Sequence, residues 1–159
     1  MIIKNNQKGF TVVEVIVGLS ILSIAFLGFL SLARFNFIIQ EQGNKKIEAI
    51  NIANEAIEII RGIRNEDWNN IATLTVDTDY YLTIMGEEWN LVTTDPGVIN
   101  DIYTRRIRFG NTYRDANDNI SASGSLDSGT KKIEAIIEWN DKGITRQLLL
   151  DTYLTNWSG

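Results

Sequence analysis

An apolar stretch near the start of the chain constrains its fold more than any other feature. Residues 10–33 carry a single charged side chain, that of Glu14. With about 1.5 Å of rise per residue, a helix of this length would be roughly 36 Å long, against about 30 Å for the hydrocarbon core of a bilayer. A chain of 159 residues has too small a soluble core to bury a helix that is apolar on every side. The stretch therefore predicts a membrane-spanning helix.

The charges before this stretch predict its orientation and its type. Lys4 and Lys8 are the only charged residues there, so the positive-inside rule places the N-terminus in the cytoplasm. A secretory signal peptide would have an apolar region of about 7–15 residues followed by a small-residue cleavage site. Here the run is longer, and the marked junction, between Gly9 and Phe10, precedes it. The pattern favours an anchor, either uncleaved or processed.

Glu14 is the residue that separates these two kinds of anchor. A carboxylate inside hydrocarbon is costly, so an intramembrane acid usually has a partner and a function. The nearest cations in the sequence are Lys8, six residues before it, and Arg34, twenty residues after it. A cut between Gly9 and Phe10 would create an α-amine at Phe10. That amine would be a partner for Glu14 of the same subunit or of a neighbour displaced along a filament.

The residues around this junction, KGFTVVEVIVGLSIL, resemble the N-terminal motif of type IV prepilins and pseudopilins. The resemblance implies that a membrane-embedded prepilin peptidase cuts after Gly9 and methylates the new amine of Phe10. It also implies that Glu14 pairs with the Phe10 amine of an adjacent subunit. The implied partners are other pilin subunits, the prepilin peptidase and the inner-membrane assembly machinery. The implied location is the inner, cytoplasmic membrane for the single-pass precursor, and a cell-surface pilus or a pseudopilus after assembly.

The rest of the chain predicts the layout of the same family. Residues 34–67 are amphipathic at helical spacing, with Ile50, Ala53, Ile57 and Ile60 in one apolar row and Ile52, Ala56, Ile59 and Ile63 in a second. The predicted fold class is therefore α+β: a long N-terminal helix, transmembrane in its first half and amphipathic in its second, packed on a small antiparallel β-sheet domain. The predicted segments are a leader (1–9), a transmembrane assembly helix (10–33), its amphipathic continuation (34–67) and the β-domain (68–159).

Six short β-like runs follow residue 67. They are predicted at residues 71–76, 80–85, 89–92, 102–109, 132–139 and 145–154. A turn at residues 140–143 would join the last two as a hairpin. The Ser/Gly-rich residues 121–129 are interpreted as a linker. The C-terminal hairpin is similar to those of minor pilins, which implies a minor subunit.

Composition argues against an enzyme. The chain has neither Cys nor His, which removes thiol nucleophiles, His general bases and the usual zinc ligands. Its acidic residues follow no catalytic motif, and a Gly-rich phosphate loop is absent from the sequence, so no cofactor is predicted. The net charge of −5 gives no general electrostatic reason to bind nucleic acid. The alternative to a pilin is a membrane-tethered binding module with an uncleaved anchor.

Three weaker patterns remain. Asp115, Asn117 and Asp118 are oxygen ligands at spacings that a calcium loop can use, although Asx-rich turns form for backbone reasons alone. Four nearby arginines form a basic patch, interpreted as a solvated strand face, or as a phosphate contact in a DNA-uptake pilin. These are Arg105, Arg106, Arg108 and Arg114. The four tryptophans, Trp68, Trp89, Trp139 and Trp157, are expected in the core or at its edge.

Overall fold

The computed structural model describes Gly9 and residues 11–156. Its fold is α+β, and the chain divides into two compact units, Met1–Gly43 and Asn44–Gly159. Apart from Gly9 and Thr11, the described part of the first unit is the beginning of helix α1, whose full bounds are Val12–Glu66. The second unit contains the rest of α1, a short helix α2 (Asn69–Ala72) and six strands.

In the first unit, α1 is apolar on every side as far as Ala33, apart from Glu14 and three serines. Each of its large apolar side chains between Val12 and Phe37 is exposed. The hydroxyls of Ser20, Ser23 and Ser31 donate to the carbonyl oxygen four residues earlier, at 2.8, 2.8 and 3.0 Å. The hydroxyls of these three serines therefore find partners on their own helix.

In the second unit, α1 buries one face. Its buried side chains are Ala49, Ile52, Ala53, Ala56, Ile57, Ile60 and Ile63. These include six of the eight residues predicted for the apolar rows; Ile59 is partly buried, and Ile50 is 37% exposed. The three alanines leave room for larger side chains of the sheet to fill the core.

The strands form two antiparallel sheets. The first pairs β1 (Tyr81–Met85) with β2 (Glu88–Val92). The second has the order β4-β3-β5-β6. Its strands are β3 (Tyr103–Arg114), β4 (Ile120–Ser121), β5 (Ser125–Asp141) and β6 (Ile144–Thr155). Alternate residues of β3 and β5 point into the core, which includes the fully buried Tyr103, Ile107, Phe109, Ile133, Ala135 and Ile137.

The hairpin predicted at residues 140–143 is confirmed. Asp141 of β5 is paired with Ile144 of β6, and the two residues between them, Lys142 and Gly143, have φ values of 55° and 88°. Positive φ at both central positions is typical of the type I′ turns that join tightly twisted strands. Asn140 closes the turn, because its Oδ1 accepts a hydrogen bond from the Gly143 N–H at 2.8 Å.

The strand predicted at residues 71–76 is wrong. Ile71 belongs to α2 and is fully buried, and the residues after Ala72 form turns. Two side chains stabilise the helical turn: Asp67 accepts from the backbone N–H of Asn69 at 2.8 Å, and Thr73 donates to the Asn69 carbonyl at 2.8 Å. The β-branched composition of this segment is overridden by local capping and by the burial of Ile71.

The linker predicted at residues 121–129 is also wrong. Ser121 ends β4, and β5 begins at Ser125. Gly124, at φ 142°, makes the turn between them possible, because a Cβ there would lie 2.1 Å from the carbonyl oxygen of Arg114. The small residues therefore serve a close approach of two backbones rather than a flexible connection.

Candidate processing and assembly site

The residues predicted for processing lie at the start of α1. Gly9 is exposed and precedes the helix, and Glu14 lies in the first helical turn. Lys4, Lys8 and Phe10 lie outside the described residues. The site that the structure describes is therefore the helix start and its single carboxylate.

Thr11 caps the N-terminus of α1. Its Oγ1 accepts a hydrogen bond from the Glu14 N–H at 3.3 Å, and its carbonyl oxygen accepts from the N–H groups of Glu14 and Val15 at 3.1 and 3.2 Å. Residues 11–14 thus have the Thr-x-x-Glu pattern of a capping box. This role of Thr11 was not predicted from the sequence, although the pattern directly before an apolar run is a recognised signal of a helix start.

The Glu14 carboxylate is exposed and makes no ion pair with any residue that the structure describes. The N-terminal end of a helix carries a partial positive charge, which favours a carboxylate in the first turn. This local effect explains how the chain tolerates an acid here, but it leaves the charge without a cationic partner. Glu14 is thus positioned and available for a partner from outside the described residues.

The apolar stretch that carries Glu14 is long and apolar enough to cross a membrane. The most apolar 18-residue window of α1 has none of its residues buried in the fold. Large apolar side chains exposed on all sides need a lipid or protein environment, because water disfavours a patch of this size. The stretch fits a membrane-anchored precursor.

The calcium candidates lie in the turn between β3 and β4. The Asp115 carboxylate accepts hydrogen bonds from the backbone N–H groups of Asn117 and Asn119 at 2.8 and 2.9 Å. The hydrogen bonds from Asn119 and then Asn117 lower the pKa of Asp115 below its ordinary value. Asp118 lies 3.6 Å from the Nε of Arg114. Within the described part of the chain, no three His, Cys, Asp or Glu side chains are grouped as a metal site would require.

Each arginine of the predicted basic patch has a carboxylate partner. Arg106 and Arg108 lie on one face of β3 and share Asp79, and Arg106 also pairs with Glu138. The hydrogen bond from Arg108, followed by the charges of both arginines, lowers the pKa of Asp79. Phosphate would have to compete with these acids, so the structure favours the solvated, paired strand face.

The remaining two arginines are also paired. Arg105, on the opposite face of β3, is buried; it pairs with Glu55 at 3.3 Å and lies 5.9 Å from the ring centroid of Trp89. Arg114 pairs with Asp127 at 2.7 Å. The alternation predicted for Arg105 against Arg106 and Arg108 is therefore confirmed.

Three tryptophans are at the positions expected. Trp139 is buried, and Trp68 packs against the core. Trp89 lies at the core edge, 36% exposed. Trp157 lies outside the described residues. The described tryptophans therefore form part of the core and its margin.

Comparison with known protein families finds a match at the start of the chain, which includes this site. The prokaryotic N-terminal methylation motif matches residues 4–30. The chain thus carries the signature of type IV pilins and pseudopilins, in an α+β layout consistent with the pilin fold. Comparisons with curated proteins and with solved structures give no match. In general, the motif implies assembly with other pilins and processing by a prepilin peptidase.

Proposed function

We propose that the chain is the precursor of a filament subunit, cleaved between Gly9 and Phe10, N-methylated at Phe10 and assembled through the apolar part of α1. The observation that carries this proposal is the methylation motif at residues 4–30 together with a lone carboxylate in the first turn of the helix. The motif match supports a structural role rather than an enzymatic one.

Cleavage supplies the partner that Glu14 lacks. The Phe10 amine would lie four residues before Glu14, which corresponds to about 6 Å along a helix axis. It would pair with Glu14 of its own subunit or with that of a neighbour shifted along the filament by a similar distance. Among packed helices the pair would be shielded from water, which strengthens the attraction while making an unpaired charge costly. The Thr11 cap supports this role because it fixes the backbone of the turn that carries Glu14.

The exposed apolar side chains supply the driving contacts for assembly. In the membrane they contact lipid, and in a filament they contact the equivalent helices of other subunits. Removal of residues 1–9 removes Lys4 and Lys8, which leaves Glu14 as the only side-chain charge before Arg34. The second unit, with its own core, would form the outer part of the filament. The C-terminal β5–β6 hairpin supports a minor subunit.

The proposal is tested by the N-terminus of the mature protein. Mass spectrometry of chain purified from native membranes and filaments should find a protein that begins with N-methylated Phe10. Cells without the prepilin peptidase are the control, and should contain only the form that begins at Met1. A chain that keeps residues 1–9 when the peptidase is active would contradict the proposal. It would indicate a membrane-tethered binding module instead.

A further inference from the structure

A groove of about 310 Å³ opens beside the C-terminal end of α1, between its last turns, α2 and strand β2. Its apolar lining consists of the buried Ile63 together with Leu74 and Leu91, which pack against the core, and the aromatic Trp89. All of its lining residues belong to the second unit. The groove is therefore supported by the same core that stabilises the domain.

The polar lining of the groove consists of hydrogen-bond acceptors and one aromatic ring. Glu66 of α1 and Glu88 of β2 line it, and neither makes an ion pair with a described residue. The amide nitrogens of Asn70 and Asn90 donate to backbone carbonyls at 3.3 and 3.2 Å, so each amide keeps its oxygen as an acceptor. Trp89 completes the lining, and the Arg105 guanidinium lies 5.9 Å from the centroid of its ring.

The end of α1 adds to the negative potential here. Among the described residues, no backbone N–H donates to the carbonyl oxygens of Arg64, Asn65 or Glu66. Such free carbonyls give the C-terminus of a helix a partial negative charge, which favours cations nearby, and Arg64 is one such cation in this last turn. Carboxylates and amide oxygens accept the hydrogen bonds that an ammonium ion donates. The groove thus has the chemistry of a site for a basic side chain.

The chain also carries cationic side chains that have no anionic partner among the described residues. Among the described lysines and arginines, Arg34 and Lys46 have neither an ion pair nor a side-chain hydrogen bond within the subunit. Arg34 belongs to the first unit and Lys46 to the second, where Lys46 is exposed on α1. Lys46 is therefore the cation of the folded domain that is complementary to the groove.

We propose that the groove binds the ammonium group of Lys46 from a second copy of this chain, an inference that rests on the filament function proposed above. Lys46 and Glu66 are twenty residues apart on α1, or about 30 Å along the helix. Subunits that point the same way would meet in this manner when one is displaced by about this distance along the other. Such a contact joins two different surfaces of the subunit, so each added copy offers the same free surface to the next copy and a filament can grow.

The test is zero-length cross-linking of intact filaments from cells that produce the full chain. A carbodiimide joins a carboxylate directly to an amine in contact with it. We expect mass spectrometry to find the Lys46 peptide joined to a peptide that contains Glu66 or Glu88. Lys46→Gln should abolish this product, and Glu88→Gln should abolish its Glu88 form. Glu87→Gln is the matched control, because it removes a neighbouring carboxylate that does not line the groove.

A charge exchange provides the second measurement. Lys46→Glu should reduce incorporation of the subunit into filaments, and Glu88→Lys in the same chain should restore it. Two results would overturn this contact and leave the proposed function intact. One is a mature, polymerised chain in which Lys46 forms no cross-link. The other is such a chain in which Glu66 and Glu88 are cross-linked to a different protein. A chain that keeps residues 1–9 and never polymerises would overturn both.

Discussion

Helix α1 is one element with two different environments in the two units of the molecule. As far as Ala33 its apolar side chains cover every side, and none of the large ones up to Phe37 is buried. After Asn44 it buries a single face, lined by isoleucine and alanine, against the sheet. The comparison teaches that the two segments depend on different partners. The second finds its apolar partners within its own chain, whereas the first must find them in lipid or in other molecules.

The largest effect should come from removing the one charge of the first segment. We expect Glu14→Val to insert into the membrane at least as well as the wild type, because it removes a charge from an apolar helix. Its incorporation into filaments should nevertheless be lost, since the Phe10 amine would have no partner. Membrane fractionation and immunoblotting of sheared filaments measure the two properties separately.

Glu58→Gln is the control for that experiment, because it neutralises an exposed acid of α1 in the second unit. It should assemble normally. Normal incorporation of Glu14→Val would remove the assembly role that we propose for this carboxylate.

The next largest effect tests the contrast in packing directly. Ile60 is fully buried and Ile16 is 58% exposed, although both lie on α1. Ile60→Ala should reduce the free energy of unfolding of the second unit by about 2–5 kcal/mol, because it opens a cavity. Ile16→Ala should leave that free energy unchanged. Denaturant titration of the full chain in detergent, followed by tryptophan fluorescence, measures the second unit because all four tryptophans belong to it.

A smaller effect is expected at Arg105. Arg105→Ala should destabilise the second unit by about 1–3 kcal/mol, because it removes a buried guanidinium bonded to Glu55 and stacked on Trp89. Arg61, whose pair with Glu58 is exposed, is the matched control; Arg61→Ala should cost at most about 0.5 kcal/mol. If the two variants lower the free energy of unfolding equally in the same denaturant titration, the burial of Arg105 adds nothing to its contribution to stability.

The smallest effect is a pH dependence. Arg108 and Arg106 hold the pKa of Asp79 below its ordinary value of 3.8. Because the folded-state pKa is depressed, its contribution to stability is present above pH 3.8 and is lost as the pH falls through the folded-state pKa. Asp79→Asn should therefore lack this part of the acid-induced loss of stability. Parallel pH profiles of the unfolding free energy for the two proteins, down to strongly acidic pH, would contradict the expectation.

Periodicity predicted the elements whose side chains repeat on one face. The apolar rows at residues 50–63 and the alternation of residues 103–109 are direct consequences of helical and strand geometry. Helix α2 was missed because four residues are too few for a repeat, and β-branched side chains there favoured a strand. Strand β4, two residues long, was missed for the same reason.

The groove could not be predicted from the sequence for a different reason. Its two carboxylates, Glu66 and Glu88, are separated by twenty-two positions and come together only because the β1–β2 hairpin packs beside the end of α1. The Thr11 cap, by contrast, was visible in the sequence as Thr-x-x-Glu. Local hydrogen bonding can be read from neighbouring residues, whereas a pocket depends on tertiary packing.

The three serines of the first segment have a consequence for the transfer from membrane to filament that we propose. Because Ser20, Ser23 and Ser31 already donate to carbonyls of their own helix, their hydroxyls need nothing from acyl chains or from adjacent helices. Extraction from the bilayer would then break no intermolecular hydrogen bond at these positions, and docking would have none to form. Transfer of the segment between lipid and a filament would therefore carry no hydrogen-bonding cost at these three serines in either direction.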